Sequence, residues 1–350
     1  MTKKICLIFS ILMTMAANIN SQDNSIVKEE LVMTADWDKT FPKSDKVDHS
    51  KVTFVNRYGI TLAADMYVPK GAKTPLAAIA VSGPFGAVKE QSSGLYAQKL
   101  AEMGYLTIAF DPSFTGESGG SPRRVASPDI NVEDFSAAVD FLSVCPEVDA
   151  ERIGILGVCG WGGIAIQAAI NDPRIKATVA STMYDMTRVS ANGYFDSEDS
   201  KDQRNAKRTA MAAQRTEDYR NGVYTRAGGV VDPLPDDAPQ FVKDYHAYYK
   251  TPRGFHPRSG NSTDGWNVTS ALPFVNFKFF DYADELESAV LIVHGDKAHS
   301  YYFGKDTFEK LKGDNKQLLT IKGASHCDLY DQTDIIPFDE IGAFYQEYLK

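Results

Sequence analysis

Residues 153–170, IGILGVCGWGGIAIQAAI, constrain the fold more than any other stretch of this 350-residue chain. A run of apolar and small residues, Ile153 to Leu156, ends in Gly157-Val158-Cys159-Gly160, and apolar residues at helical spacing follow at once. The pattern predicts a buried strand, a sharp turn and a helix. Such a turn holds the side chain at its apex clear of the sheet and beside a helix N-terminus. Here the apex carries a thiol, Cys159. Most free cysteines are buried small hydrophobes, but glycines on both sides and the strand-to-helix context make Cys159 a candidate nucleophile.

The rest of the chain repeats the alternation that this stretch begins. Residues 51–68 alternate apolar and polar residues on either side of Arg57-Tyr58-Gly59, which predicts a β-hairpin. Apolar strands are expected at Leu76–Val81, Leu106–Phe110, Ala177–Thr182, Val290–Val293 and Gln317–Ile321. Helical spacing marks Gly94–Met103, about Asn131 to Val144, and about Ile335 to Leu349. Strands alternating with helices give an α/β fold, a mostly parallel sheet covered on both faces, with the hairpin as an antiparallel edge.

One block breaks the rhythm. Residues 183–285 are rich in charge, Tyr, Pro and Gly, and a stretch that long does not stay structureless in a compact domain. It reads as a cap inserted over the carboxyl edge of the sheet, between core segments 47–182 and 286–350. A plain surface insertion is the alternative.

Composition sets outer bounds. With 43% hydrophobic residues the chain has material for a large core, and a net charge of −9 offers no basic surface for nucleic acid. Lys3 and Lys4, an apolar run from Ile5 to Met15, then Ala16-Ala17 read as a signal peptide over residues 1–21, hence export to the periplasm or beyond, with no stable membrane span after cleavage. Cleavage leaves Cys145, Cys159 and Cys327, an odd number without C-x-x-C spacing, so no metal site is expected. A free thiol in an oxidising compartment is either buried or used. Cys145 and Cys327 are assigned to packing.

The order hairpin, strand, turn, helix, strand, helix, strand, elbow, helix, cap, strand, acid loop, strand, histidine loop resembles the α/β-hydrolase fold over roughly residues 47–350. The GVCGWGG elbow, with Cys in place of Ser, is similar to the dienelactone-hydrolase-like branch. It departs from G-x-nucleophile-x-G in carrying Trp161 at the fifth position, where the indole is expected to wall the pocket. Gly116-Glu117-Ser118-Gly119-Gly120 matches G-x-S-x-G by letters but has no helix starting at Ser118, so it is read as a decoy.

The resemblance implies the remaining roles. Among six histidines, His326 lies five residues beyond the last strand, where the fold keeps its catalytic base, and imidazole beside a thiol would hold it as thiolate. For the acid, the usual positions carry Ala298 and His299; Asp296 is the nearest carboxylate and Asp185 the reserve. Two backbone N–H groups should hold the oxyanion, from Gly160 and, since Pro84 has none, from Phe85. Lys89-Glu90-Gln91 reads as a solvated helix start. The implied activity is hydrolysis of a small ester, thioester or lactone by Cys–His acyl transfer, without metal or organic cofactor. The alternatives are a peptidase or amidase on the same scaffold, or a catalytically silent ligand-binding relative. The oligomeric state is open.

Overall fold

A computed structural model describes residues 25–350, so the expected signal peptide lies outside the described residues. Eight strands form one sheet: β1 (Val47–Val55), β2 (Thr61–Pro69), β3 (Leu76–Ser82), β4 (Leu106–Phe110), β5 (Val148–Val158), β6 (Ile175–Ser181), β7 (Ala289–Gly295) and β8 (Lys316–Ile321). Their spatial order is β1-β2-β4-β3-β5-β6-β7-β8. The β1–β2 hairpin joins β4 antiparallel, and every other pairing is parallel.

The central strands read as continuous apolar runs because both faces are buried. In β3, Ala78 and Ala80 point into one apolar layer, while Ala77, Ile79 and Val81 point into the other. Helices α1 (Ser92–Glu102), α2 (Pro128–Ser143) and α3 (Gly160–Asn171) follow β3, β4 and β5. The first layer is closed by Val132 and Phe135 of α2 and Ile164 of α3. Tyr96 and Leu100 of α1 belong to the second, with Ile341 and Phe344 near the C-terminus. Helix α2 begins at Pro128 rather than near Asn131: Pro occupies the first turn, where its missing N–H costs nothing.

Between β6 and β7 the chain forms α4 (Met186–Asn192), α5 (Lys201–Asn221), α6 (Gln240–Tyr249) and α7 (Ala271–Asn276). Helix α5 is polar almost all round, burying only Met211 and Asp218; Ser200 caps its start and Gly222, left-handed, its end. After β7 come α8 (Tyr301–Lys310), then α9 (Asp328–Asp331) and α10 (Phe338–Tyr348) beyond β8. No described helix is long and apolar enough to cross a membrane.

Lys89-Glu90-Gln91 overturns its expected solvation: all three residues are fully buried. Lys89 Nζ lies 2.6 Å from Glu90, 3.0 Å from Asp111 and 2.7 Å from Glu117. Residues 25–46 run without helix or strand along this cluster and seal it, with Thr34 N donating to Glu117 at 2.7 Å and Lys39 pairing with Asp65 at 2.7 Å. Burial pulls the Lys89 ammonium down, but its carboxylate neighbours outweigh that and leave it firmly charged. Burial likewise works against Glu117, yet Lys89 holds it at about 2. The decoy serine belongs to this region: Ser118 Oγ donates to Asp111 O at 2.7 Å and accepts from Ala63 N at 2.8 Å.

Candidate active site

Strand β5 ends at Val158 and α3 starts at Gly160, so the whole reversal falls on Cys159, at φ 61° and ψ −128°. A non-glycine residue there is a backbone outlier of the kind that collects at functional sites. The turn closes only because its neighbours lack side chains. A Cβ on Gly157 would lie 1.9 Å from Trp161 O, and one on Gly160 2.8 Å from Phe85 Cβ. Gly83 in turn makes room for the tryptophan, since a Cβ there would meet Trp161 Cβ at 2.8 Å.

Trp161 does not wall the pocket. Its indole is 1% exposed and packs edge-on against Phe110 and Phe135, with ring centres 5.7 and 5.4 Å away. The reason is helical geometry: two residues after the apex, the side chain points back under the sheet into the core.

His326 comes to the same end of the sheet but finds no carboxylate among the described residues. Its Nδ1 lies 2.6 Å from Ser300 Oγ and 2.8 Å from Thr182 Oγ1, and its Nε2 lies 3.0 Å from the Tyr330 hydroxyl. Thr182 is itself at φ 44°, unusual for a β-branched residue, which turns its hydroxyl off the end of β6. Asp296, the expected acid, instead accepts from Gly323 N at 2.7 Å and is exposed. Asp185, the reserve, caps α4 by accepting from Thr187 N and Arg188 N at 3.0 and 2.9 Å. The loop after β7 turns immediately at Gly295-Asp296, so Ser300 rather than a carboxylate reaches the imidazole.

The electrostatics follow from that. Burial raises the Cys159 thiol above its usual range, opposed by the Tyr330 hydroxyl and by the main chains of Phe85 and Gly160, which hydrogen-bond the sulfur. His326 is held well below its ordinary value by burial and by the neighbouring His299 and His294. Both groups are therefore neutral near pH 7, and the expected thiolate–imidazolium pair is not the resting form. With no opposite charge beside either group, desolvation decides.

Phe85 and Gly160 thus set two main-chain groups against the apex atom, where an oxyanion hole needs donors. The Phe85 turn is braced from the insertion: Asn261 Nδ2 donates to Phe85 O at 2.7 Å and Asn261 N to Gly86 O at 3.0 Å.

A cavity of about 170 Å³ opens above Cys159, walled by Phe85, Met186, Val189, Val230, Asn261 and the phenols of Tyr184, Tyr194, Tyr245 and Tyr330. None of these side chains is charged. Larger clefts exist elsewhere, one of about 570 Å³ beside Arg188 and Arg208, but it contains neither thiol nor imidazole, so size alone does not mark the site. Among the described residues, the carboxylates of Glu90, Asp111 and Glu117 lie close enough to share a cation, and the Lys89 ammonium already sits among them.

Sequence reasoning missed Thr182, Ser300, Tyr330 and Asn261. Thr182 and Ser300 follow strands that the pattern located; their hydroxyls carried no signal of their own. Tyr330 lies four residues after His326, in α9, which begins two residues beyond the histidine, a closeness along the chain that was available.

The profile of the family described as X-Pro dipeptidyl-peptidase (S15 family) matches residues 58–328. The uncharacterized protein PA2218 of Pseudomonas aeruginosa is 52% identical over 340 residues, covering 96% of this chain and 90% of its own length. Its crystal structure covers 92% of this chain and 100% of that one, with a TM-score of 0.89 at 53% identity. The thiohydrolase aneE of Aspergillus aculeatus is 34% identical over 137 residues, 39% of this chain and 42% of its own. The α/β hydrolase GrgF of Penicillium sp. sh18 shares the fold, with a TM-score of 0.71 at 18% identity over 86% of this chain and 99% of that one. With the profile matched across most of its sheet and the α/β-hydrolase architecture in place, the chain belongs to the S15 family of α/β-type hydrolases.

Proposed function

We propose that the protein is an exported hydrolase that cleaves small, uncharged carboxylic esters or thioesters through Cys159. The observation that carries this reading is the elbow: a thiol at a left-handed apex, with the main chains of Phe85 and Gly160 on its sulfur and an apolar cavity above it. Cys159 attacks the carbonyl carbon, Phe85 and Gly160 N–H groups hold the developing oxyanion, and His326 takes up and returns the proton. Water then releases the acid. The pairing of Cys159 with His326 stands here without a carboxylate. Export rests on the N-terminal sequence pattern, and residues 183–285 serve as the cap that shapes the acyl pocket.

The family's description raises a second reading, removal of X-Pro dipeptides. A free peptide N-terminus is an ammonium, and desolvating it requires a carboxylate or equivalent acceptors. The walls of the cavity supply no carboxylate, which favours an uncharged acyl group. The similarity to a thiohydrolase over part of the chain supports thioesters within that class.

The test is turnover of p-nitrophenyl butyrate, a butyryl thioester and an X-Pro p-nitroanilide by the purified protein and its Cys159→Ala variant. The expected result is hydrolysis of the ester and thioester that drops at least about 1,000-fold in the variant, with the anilide uncleaved. Undiminished turnover in Cys159→Ala overturns the nucleophile, and cleavage of the anilide alone overturns the substrate class.

A further inference from the structure

His326 does not line the cavity in which Cys159 stands; Tyr330 does. The Tyr330 hydroxyl is 3.0 Å from His326 Nε2, and the same residue walls the space over the thiol. Tyr330 is fully buried, and its ring is pinned by Tyr248 and Tyr249 at centre distances of 5.0 and 6.2 Å, so its hydroxyl has little freedom to swing away. On the far side of the imidazole, Nδ1 is held by two hydroxyls, which either accept from it or donate to it. Ser300 and Thr182 therefore accommodate the ring with its hydrogen on Nδ1, leaving Nε2 free to accept.

We propose that Tyr330 is a catalytic residue, its phenol relaying the thiol proton of Cys159 to Nε2 of His326. This rests on the reading of Cys159 as the nucleophile. As sulfur attacks the carbonyl carbon and the C–S bond forms, the S–H proton passes to Tyr330 Oη while the phenol's own proton passes to Nε2. Tyr330 ends unchanged and His326 becomes an imidazolium whose Nδ1–H points at the Ser300 and Thr182 oxygens. When the tetrahedral intermediate collapses, the proton runs back through the same phenol to the leaving oxygen or sulfur, and the carbon–leaving-group bond breaks. Water repeats both steps against the acyl-thiol, releasing the acid and restoring S–H. No oxidant, metal or other reactant enters.

The test compares Tyr330→Phe, which keeps the ring and its packing, with replacement of Tyr330 by 3,5-difluorotyrosine, which keeps the hydroxyl and makes it more acidic. The substrate is p-nitrophenyl butyrate, and Cys159→Ala is run alongside. The relay predicts a fall in kcat of about 100-fold for Tyr330→Phe with KM within about two-fold. It also predicts that the difluorotyrosine enzyme remains active with its pH–rate profile displaced to lower pH. Tyr330→Phe at wild-type kcat overturns the relay, and so does a slow Tyr330→Phe paired with an undisplaced difluorotyrosine profile, the mark of a packing role. Full activity in Cys159→Ala overturns the nucleophile instead, so the two failures are distinguishable.

Discussion

Two regions of this protein bury polar groups and solve the problem of buried polarity in opposite ways. Around Lys89, ammonium and carboxylate groups lie 2.6 to 3.0 Å apart; Lys89 and Glu117 are held firmly charged, while burial pushes the Glu90 carboxyl up. Around Cys159 and His326 the partners are hydroxyls and main-chain groups, and thiol and imidazole stay neutral. The difference shows that burial alone does not set protonation; the neighbour's charge does. It also separates the two settings, because one holds fixed charges against the loops and the other holds none.

The contrast breaks most severely at Lys89. Replacing it by Met leaves Asp111 buried without a cation and Glu90 and Glu117 with only Arg258 and Lys51, and the expected loss is about 3–5 kcal/mol, measured by urea denaturation at pH 7. A loss below about 1 kcal/mol would mean that the cluster is hydrated and that the two regions do not differ as described.

The next effect is a pH dependence whose sign separates the regions. Burial holds His294 at about 4, against 6.5 for an ordinary imidazole, and His299 also at about 4. Between those values the unfolded chain binds protons that the folded chain does not, so stability falls as pH drops from 6.5 towards 4. For His294 alone the loss reaches about 3 kcal/mol at pH 4. Glu117, held at about 2, contributes stability that is present above its ordinary value of 4.5 and lost only as pH falls below it. Urea melts at half-unit pH steps should therefore show weakening that begins near neutrality; a flat profile from pH 6.5 to 5 would remove the neutral-imidazole picture.

Much of this architecture was legible in residue order. Strand, elbow and helix at 153–170 announce themselves because glycine spacing and apolar periodicity are local signals, and the β1–β2 hairpin is read the same way. The surroundings of His326 were less legible, since Thr182 and Ser300 come from separate loops and Tyr330 from α9, and they meet only when the sheet forms. Asp296 is the nearest carboxylate along the chain, but an immediate turn carries it elsewhere. Trp161 was read by position in a motif, whereas its direction is set by α3 and the space left at Gly83. Lys89 looked solvated because a charged tripeptide carries no trace of the distant carboxylates that enclose it.

The smallest effect sharpens the account of His326. Ser300→Ala removes the hydroxyl 2.6 Å from Nδ1 and is expected to lower kcat for p-nitrophenyl butyrate about 10-fold, the equivalent of one buried hydrogen bond. Asp296→Asn should leave kcat within about two-fold. The reverse ranking would return the role to the carboxylate.

The cavity over Cys159, at about 170 Å³, has a consequence for binding measurements. Pockets that enclose drug-sized ligands run from roughly 300 Å³ upwards. On the proposed reading, a bulky acyl chain would be admitted only by the fraction of molecules in which the walls contributed by α4 and α6 stand apart. Its apparent dissociation constant is the intrinsic one divided by that fraction. Across a series of lengthening acyl groups, affinity would then chart the population of the expanded form before it reported any preference of the pocket itself.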